Sequence, residues 1–438
     1  MVTNKTINGD CLEELKKLDD NSIDLLCTDP PYGYGFMGKH WDKFEEKQST
    51  KSQSVGWMSP GMKKSTYGMR EFFIPIWEEA LRVLKPGAFS FVMSAPRSDV
   101  QMVMLQTLAE AGFDVSFTPI YWTYATGFPK AMNVGKKTEK GNLEGSYAGY
   151  QPKPAVEVVI VAMKPLDQNT YVGQALNNQK GVTWLDDCRI PFGDMNDKEQ
   201  FDKDNVAGQV NFDGRYEKDS GKMYEGGWDK PMRKTTKRKP REENTVFKTS
   251  GFKSENNDTA EASPFGRFAA NLLISDDILE KDFSRFYSLD SWWEDRLTKL
   301  PDEIKRTFPF LAVPKPSKSE KNMGLDKFDK QQKIFNGQSD KPSTDMKGVE
   351  QKFTTQPSAN NHPTVKPTTL MSYLVTLGSR KGDVVLDPFA GSGTTGISCV
   401  FSERNYLLIE REKEYFNILK ARIKKAENPA GIVQHEWF

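Results

Sequence analysis

The sequence offers little for binding a metal or forming a disulfide bond. Its 438 residues include four cysteines and three histidines. Cys11, Cys27, Cys188 and Cys399 lie far apart and form no C-x-x-C pair, and the cysteines and histidines do not have the spacing of zinc ligands. We therefore predict no metal site. Scattered cysteines are typical of a protein in a reducing cytoplasm.

The chain also lacks an excess of charge and a long hydrophobic run. Sixty-one Lys and Arg residues stand against sixty Asp and Glu residues, a formal net charge of +1, so any surface that binds nucleic acid must be local. The aliphatic run Val158–Met163 is far too short to span a bilayer. No apolar stretch typical of a secretion signal follows Met1. We expect a cytoplasmic protein with no membrane partner.

Short apolar runs alternate with helical patterns in two parts of the chain, from residue 5 to about 165 and from residue 363 onward. This alternation predicts an α/β fold with a mostly parallel sheet. The patterns predict strands at residues 6–10, 21–28, 88–94, 115–123, 156–162, 384–386 and 406–409, and helices at residues 11–18, 70–84, 98–111, 368–377, 394–401 and 413–426.

Between residues 166 and 305 this alternation is lost. Residues 195–262 are rich in Asp, Lys, Asn, Gly and Glu, and a structureless loop of that length is improbable inside a compact domain. The sequence therefore predicts one domain in two halves, residues 1–165 and 306–438, with a second domain inserted at residues 166–305. The aromatic run at residues 283–293 is expected to form the small core of the insert.

One stretch of the insert, Lys230–Lys253, has nine basic residues against two acidic ones, with aromatic residues interleaved. Basic side chains with aromatics suit phosphate contacts and base stacking. A solvated or disordered charged segment explains the same composition equally well. If the chain acts on nucleic acid, we expect contacts from Lys234, Lys237, Arg238, Lys239 and Arg241.

The motif Asp29-Pro30-Pro31-Tyr32 follows the predicted strand at residues 21–28. Such a strand end directs a carboxylate, free carbonyl groups and an aromatic ring into one crevice. Proline has no N–H group, so the turn offers acceptors rather than donors. An exocyclic amino group such as adenine N6 needs two acceptors and a stacking surface, and this turn supplies both. Taken alone, the motif also fits a simple strand-to-turn junction, in which the Asp side chain caps the turn and proline ends the strand.

A second motif, Asp387 to Thr395, combines a strand end, a glycine-rich turn and a helix start. Glycines let the backbone approach a ligand closely, and the helix start offers unpaired N–H groups. No Walker lysine follows, which argues against a nucleotide phosphate. The next predicted strand ends in Glu410, about twenty residues on, where an acidic residue binds ribose in dinucleotide-type folds. The pattern predicts S-adenosylmethionine or a dinucleotide.

Three motifs together resemble those of the DNA amino-methyltransferases. They are Asp29-Pro30-Pro31-Tyr32, Phe389-Ala390-Gly391-Ser392-Gly393 and His362-Pro363-Thr364-Val365-Lys366-Pro367. Their order resembles the circularly permuted β group of that family, and within it the adenine-specific enzymes of phages and prokaryotes. The resemblance covers residues 5–165 and 305–425. It implies a Rossmann-like methyltransferase sheet that binds S-adenosylmethionine, with a target-recognition domain inserted at residues 166–305.

The resemblance also implies roles for individual residues. Asp29 and the Pro30 carbonyl would accept the hydrogens of the target amine in a turn stiffened by Pro31, and Tyr32 would stack on a base flipped out of the duplex. His362 is expected to be structural. The family pattern places the adenine of the cofactor against Asp10 and Cys11, its ribose against Glu410, and Asp29 nearby. The residues expected at the methionine end are Asp387, Phe389, Ala390, Gly391, Gly393, Thr394 and Thr395, together with Thr364 and Lys366.

The substrate that the resemblance favours is adenine N6 in double-stranded DNA, because the family's N4-cytosine enzymes more often have Ser at the position of Asp29. N4-cytosine methylation stays open. So do an RNA or protein-amide methyltransferase, whose relatives usually carry Asn there, and a DNA-binding protein that has lost catalysis. The expected setting is a bacterial or phage-infected bacterial cell. A homodimer and a cognate restriction endonuclease are retained as candidate partners.

Overall fold

The computed structural model describes residues 4–33, 68–124, 132–137, 141–150, 155–192, 197–198, 266–275, 287–299, 318–330, 334–335, 353–354 and 358–428, and every structural statement below concerns these residues. The chain divides into two compact units. One comprises Met1–Arg189 and Phe268–Phe438, and the other comprises Ile190–Arg267. The first unit contains the main sheet.

The regular elements alternate along most of the chain. The strands are β1 (Lys5–Asn8), β2 (Leu25–Thr28), β3 (Phe89–Ser94), β4 (Ile120–Thr123), β5 (Val156–Met163), β6 (Leu272–Ile274), β7 (Ile334–Phe335), β8 (Phe353–Thr354), β9 (Val384–Asp387) and β10 (Asn405–Glu410). The α-helices are α1 (Cys11–Leu15), α2 (Met69–Val83), α3 (Ser98–Glu110), α4 (Tyr171–Asn178), α5 (Leu289–Lys299), α6 (Lys318–Lys321), α7 (Thr368–Gly378), α8 (Thr394–Phe401) and α9 (Lys413–Glu427).

Eight of these strands form one sheet in the order β1-β10-β9-β2-β3-β5-β4-β6. The neighbours from β1 to β3 are parallel, β5 runs antiparallel to both β3 and β4, and β4 is parallel to β6. The short strands β7 and β8 form a separate antiparallel pair. The predicted α/β fold with a mostly parallel sheet is therefore confirmed.

Helices cover both faces of the central strands, which explains why the sequence shows these strands as continuous apolar runs. Every residue of β2 and β3 is buried, as expected for parallel strands inside an α/β sheet. Because side chains alternate along a strand, Leu26 and Val92 pack in a cluster with α2 and α3. On the other face, Leu25 and Phe91 lie against Gly378 of α7.

Five of the predicted helices are found within one residue at each end, as α2, α3, α7, α8 and α9. Four predictions differ more. The first helix ends at Leu15 rather than residue 18, and the strand predicted at residues 6–10 is β1, which begins one residue earlier and ends at Asn8. The strands predicted at residues 21–28 and 115–123 are too long and contain only β2 and β4. Between residues 166 and 305, α4, β6 and α5 were not predicted. The strand β6 has only three residues, and α4 exposes Tyr171, Val172 and Leu176, so neither shows the pattern of a core element.

The second compact unit is narrower than the predicted insert. The described parts of residues 166–189 and 268–299 group with the sheet. Trp292 of α5 is buried, and its ring meets the ring of Tyr373 of α7 edge-on, with centroids 5.0 Å apart. For Trp292 the predicted place in the core of the insert is therefore wrong, because this side chain covers α7. The role of the insert in target recognition stays a prediction.

An ion-pair cluster, which we call the Asp24 cluster, lies at the amino ends of β2 and β9. The buried carboxylate of Asp24 contacts Lys85 Nζ at 2.6 Å and Lys180 Nζ at 2.8 Å, and it accepts the backbone N–H of Val384 at 3.0 Å. Lys180 also contacts Asp383 Oδ2 at 2.8 Å. The cluster therefore links the start of β2 to the start of β9 at the edge opposite to Asp29.

Neither a membrane-spanning helix nor a metal-binding cluster is found among the described residues. Within them, no helix is both long enough and apolar enough to cross a membrane. In the same part of the chain, no three His, Cys, Asp or Glu side chains are grouped so that they could hold a metal ion.

The turn between α2 and β3 generates a stability prediction. Gly87 has a φ of +77°, and a Cβ there would lie 2.7 Å from the backbone nitrogen of Gly181. We expect Gly87→Ala to lower the free energy of unfolding by about 2–4 kcal/mol, because it adds backbone strain and displaces a neighbouring chain segment. Urea denaturation measures this loss.

Gly382→Ala is the matched control. Gly382 has a φ of +84°, but nothing lies within 4 Å of an added Cβ. We expect the free energy of unfolding of this variant to fall by only about 1 kcal/mol, which is the cost of backbone strain at a positive φ. Equal losses in the two variants would contradict the role of close packing at Gly87.

Candidate active site

The two sequence motifs meet at one edge of the sheet. Strands β2 and β9 are adjacent and parallel, with Leu25 opposite Val385 and Leu26 opposite Leu386. Their carboxyl ends therefore lie side by side, so Asp29 follows one strand next to the place where the other ends in Asp387. The crevice at the carboxyl ends of such strands is where open α/β sheets bind ligands.

Asp387 joins the two strand ends to the helix that follows. Its Oδ1 accepts the Thr28 hydroxyl at 2.6 Å and the Phe389 N–H at 3.1 Å, and its Oδ2 accepts the Thr395 hydroxyl at 2.5 Å. Burial raises the pKa of Asp387 to about 6 although these hydrogen bonds lower it. The carboxylate of Asp387 thus connects the end of β2, the glycine turn and the first turn of α8 through hydrogen bonds.

The glycine turn closes against the Pro363-containing segment. Gly391 has a φ of +52°, and a Cβ there would lie 2.7 Å from His362 Nε2. The His362 ring packs edge-on against Tyr415 of α9, with centroids 4.6 Å apart. Gly393, with a φ of +83°, precedes α8 and donates its N–H to the Ala390 carbonyl at 2.7 Å. His362 thus lies against the turn, and its structural role stays a prediction.

Glu410 lies at the end of β10 beside the same turn. Its Oε2 accepts the Gly391 N–H at 2.8 Å, and its Oε1 accepts the Glu412 N–H at 2.7 Å. The side chain is 8% exposed, and burial raises the pKa of Glu410 to about 7. Each oxygen retains acceptor capacity, since a carboxylate oxygen has two lone pairs. A ligand that donates two hydroxyl groups, such as a ribose, fits this carboxylate.

Asp29 is held by two side chains. Tyr32 donates its hydroxyl to Asp29 Oδ1 at 2.6 Å, and Lys366 Nζ contacts Asp29 Oδ2 at 2.7 Å. The same ammonium lies 3.1 Å from Glu157 Oε2 of β5, and 5.9 Å from the centroid of the Tyr32 ring. Asp29, Tyr32, Lys366 and Glu157 form what we call the Asp29 cluster.

Lys366 carries the positive charge of this cluster. Burial alone would lower the pKa of Lys366, but the adjacent carboxylates of Asp29 and Glu157 outweigh it and leave the pKa above its ordinary value. The ammonium is therefore charged. We expected this lysine to hold the methionine end of the cofactor, and the structure places its Nζ on Asp29.

The remaining predicted residues divide between the turn and its supports. The Phe389 ring meets the stacked rings of Phe73 and Trp77 of α2 edge-on, with centroids 6.0 and 6.1 Å away. Thr364 donates its N–H to His362 Nδ1 at 3.4 Å. Thr394 begins α8. The carbonyl of Pro30 and the ring of Pro31 follow Asp29 directly.

The residues predicted at the adenine end have local roles. The Asp10 side chain caps α1 by accepting the N–H groups of Leu12 and Glu13. Cys11 is buried, and burial raises the pKa of its thiol to about 12. The basic residues predicted to contact DNA, Lys234, Lys237, Arg238, Lys239 and Arg241, lie outside the described residues.

The sequence patterns missed Arg422, which supports the glycine turn from α9. This buried side chain donates from Nη1 to the Ser392 carbonyl at 2.6 Å and to the Ser392 hydroxyl at 3.0 Å, and from Nη2 to the Glu320 carbonyl at 3.2 Å. Burial lowers the pKa of Arg422 to about 10. Its spacing along α9 is that of a core residue, so no sequence signal separates it from its apolar neighbours.

Comparison with known proteins gives a family match over most of the chain. A family model described as DNA methylase, the N6/N4 methyltransferase family, matches residues 23–421. The type II methyltransferase M2.MboI of Moraxella bovis is 49% identical over 61 residues, 14% of this chain and 22% of that protein. M.HinfI of Haemophilus influenzae is 42% identical over 72 residues, 16% and 20% of the two chains. The matches thus span about a fifth of these curated relatives.

Solved structures that align with most of this chain share less sequence identity with it. The PvuII DNA methyltransferase, described as cytosine-N4-specific, has a TM-score of 0.42 and 12% identity over 98% of this chain and 92% of its own. A DNA modification methylase of Thermus thermophilus in complex with S-adenosyl-L-methionine has a TM-score of 0.36 and 16% identity over 97% and 96% of the chains.

The raised pKa of Glu410 predicts pH-dependent binding of S-adenosylmethionine. We expect the ribose hydroxyls of the cofactor to donate to the ionised carboxylate, so that the bound cofactor would lower the pKa of Glu410 below about 7. Affinity is therefore highest above that pH and falls as pH drops through it, by up to about tenfold per pH unit. Isothermal titration calorimetry across this range measures the dependence.

Glu410→Gln cannot ionise, so its affinity should be lower and flat over the same range. The control is Glu403→Gln, at the opposite end of the β10 segment, where the carboxylate is 67% exposed and pairs with Lys381. This control should keep the wild-type dependence. A pH-dependent Glu410→Gln variant would contradict the ribose assignment.

Proposed function

Because the chain belongs to the N6/N4 DNA methylase family, we propose that it is a site-specific DNA methyltransferase that transfers a methyl group from S-adenosylmethionine to N6 of adenine. One observation carries the proposal. The carboxylate of Asp29 lies beside the glycine turn, because β2 and β9 are adjacent and Thr28 is bonded to Asp387. An amine acceptor and a cofactor turn therefore share one crevice.

The chemistry follows from the Asp-Pro-Pro-Tyr turn. S-adenosylmethionine supplies an electrophilic methyl group. The exocyclic amine of adenine is a poor nucleophile, because its lone pair is delocalised into the ring. Asp29 and the Pro30 carbonyl accept the two amino hydrogens and draw the nitrogen toward tetrahedral geometry, which directs the lone pair at the methyl group. The same acceptors face the positive charge that develops on nitrogen.

Tyr32 and Glu410 complete the binding of base and cofactor. The Tyr32 hydroxyl donates to Asp29, which fixes the ring beside the carboxylate that meets the amine, where it can stack on a flipped base. Glu410 would hold the ribose hydroxyls of the cofactor, and the turn at Gly391 and Gly393 would hold its methionine end. Transfer would be direct and in line, without a covalent enzyme intermediate. The bond between sulfur and the methyl carbon breaks as the bond between nitrogen and that carbon forms, and the methylated nitrogen then loses one proton, for which no strong base is needed.

Adenine is preferred to cytosine because position 29 carries Asp. The order of the motifs, with Asp29 in the first part of the chain and Asp387 in the last, supports placing the chain in the circularly permuted β group. The insert at residues 166–305, with the basic stretch Lys230–Lys253, is proposed as the target-recognition domain for double-stranded DNA. A homodimer and a cognate restriction endonuclease stay predictions.

The decisive experiment incubates unmodified DNA with S-adenosylmethionine carrying a labelled methyl group and identifies the labelled nucleoside after digestion. We expect N6-methyldeoxyadenosine from the wild type and no labelled nucleoside from Asp29→Ala, because the amine loses its charged acceptor. The affinity of Asp29→Ala for the cofactor should stay within about twofold of wild type, since Lys366 keeps Glu157 as its partner.

Asp19→Ala is the matched control, since it removes an exposed carboxylate and should leave the label in place. Labelled N4-methylcytosine would select the cytosine alternative. Full activity of Asp29→Ala would refute the assignment of the acceptor.

A second experiment tests the basic stretch. Replacing Lys234, Lys237, Arg238, Lys239 and Arg241 by Gln should weaken DNA binding and reduce the slope of log affinity against log salt by up to about 4, because fewer phosphate counterions are released. Fluorescence anisotropy at several salt concentrations measures both. The control replaces the exposed Lys413, Lys420 and Lys424 of α9. Unchanged affinity in the first variant would assign the stretch to a solvated segment.

A further inference from the structure

We propose that Glu157 is a positioning residue for methyl transfer, which acts by sharing the ammonium of Lys366 with Asp29. The proposal rests on the proposed function and concerns a residue outside the Asp-Pro-Pro-Tyr, glycine and His362–Pro367 motifs. Glu157 belongs to β5, which lies between β3 and β4 in the sheet, and is opposite Trp122 of β4. Its carboxylate is therefore fixed by a rigid strand.

The geometry of the Asp29 cluster divides one cation between two anions. Lys366 Nζ lies 2.7 Å from Asp29 Oδ2 and 3.1 Å from Glu157 Oε2. With both carboxylates ionised, the three groups carry one net negative charge. That charge faces the amine, which becomes positive as the methyl group is transferred. Without Glu157, Lys366 would neutralise Asp29 alone and weaken it as an acceptor for the amine.

The cost of burying Glu157 argues against a purely structural role. Its Oε2 is buried and makes an ion pair to Lys366 without the alignment of a hydrogen bond. A buried carboxylate oxygen without hydrogen bonds lowers stability, and an apolar or amide group of similar size would fold at least as well. Selection for stability alone does not explain an acid at this place.

The groups that face Glu157 come from three segments. They are Lys366 before α7, Asp29 after β2, and Tyr124 after β4. Burial raises the pKa of Glu157, the charge of Asp29 raises it further, and Lys366 opposes both. Protonation of Glu157 as the pH falls therefore releases Lys366 to Asp29. Glu157→Gln reproduces this protonated arrangement at every pH.

The test compares wild type and Glu157→Gln in single-turnover methylation of unmodified DNA, with S-adenosylmethionine saturating at each pH so that Glu410 does not contribute. At alkaline pH we expect the variant to be about 10- to 100-fold slower, because the acceptor is mispositioned and neutralised. Its rate should stay flat toward mildly acidic pH, while the wild-type rate falls toward it. Cofactor affinity should stay within about twofold, and the variant should be no less stable to heat.

Two further variants separate positioning from folding. Glu157→Asp keeps the charge and should recover part of the rate. Asp24→Asn removes the other buried carboxylate shared by two lysines, Lys85 and Lys180, and should lower stability while the pH–rate profile stays that of wild type.

The outcomes separate this proposal from the one on which it rests. A wild type that transfers no methyl group to DNA overturns both. An active wild type together with a Glu157→Gln variant of unchanged rate and pH profile overturns only the role of Glu157. A variant that is slower only because it is less stable to heat overturns it as well.

Discussion

The site depends on the pairing of β2 with β9. These strands are far apart in the chain, and the hydroxyl of Thr28 spans 359 residues of sequence to reach Asp387 Oδ1 at 2.6 Å. The bond fixes the last residue of one strand to the last residue of the other. It thereby sets the distance between Asp29, the proposed acceptor of the amine, and the glycine turn. The Asp24 cluster links the same two strands at their amino ends, so both ends of the pair are tied.

Carboxylates dominate this edge of the sheet. Asp29, Asp387, Glu410 and Glu157 surround the crevice, and Lys366 is the cation paired directly with two of them. Burial raises the pKa of Asp387 to about 6 and that of Glu410 to about 7, so the edge stores unfavourable negative charge. A cationic ligand relieves it. In the proposed reaction, the sulfonium of the cofactor and the amine that has just received the methyl group are both cations, and the positive charge leaves the crevice only when that amine loses a proton.

The sequence predicts the parts of the fold that obey a simple period. Strands such as β2 and β3, buried on both faces, and helices such as α2 and α9 follow from apolar patterning, and the two motifs mark the strand ends. The supports of the site escape prediction for a physical reason. Arg422 and Glu157 each lie in an element whose sequence pattern is that of the hydrophobic core. Their partners, Ser392 and Lys366, come from distant segments. Tertiary packing decides which buried polar groups contact each other. The hydrophobic period of a single helix or strand carries no information about such contacts.

The second compact unit, which lies within the insert that we propose for target recognition, is closed at its two ends. It begins at Ile190 and ends at Arg267, and the two residues exchange backbone hydrogen bonds, with N–O distances of 3.0 and 2.7 Å. These two hydrogen bonds close the ends of the unit on each other. The entropy of closing a loop grows only slowly with its length. An insert tied at its base can thus lengthen or change sequence at small cost, while Asp29 and the glycine turn keep their places on the sheet.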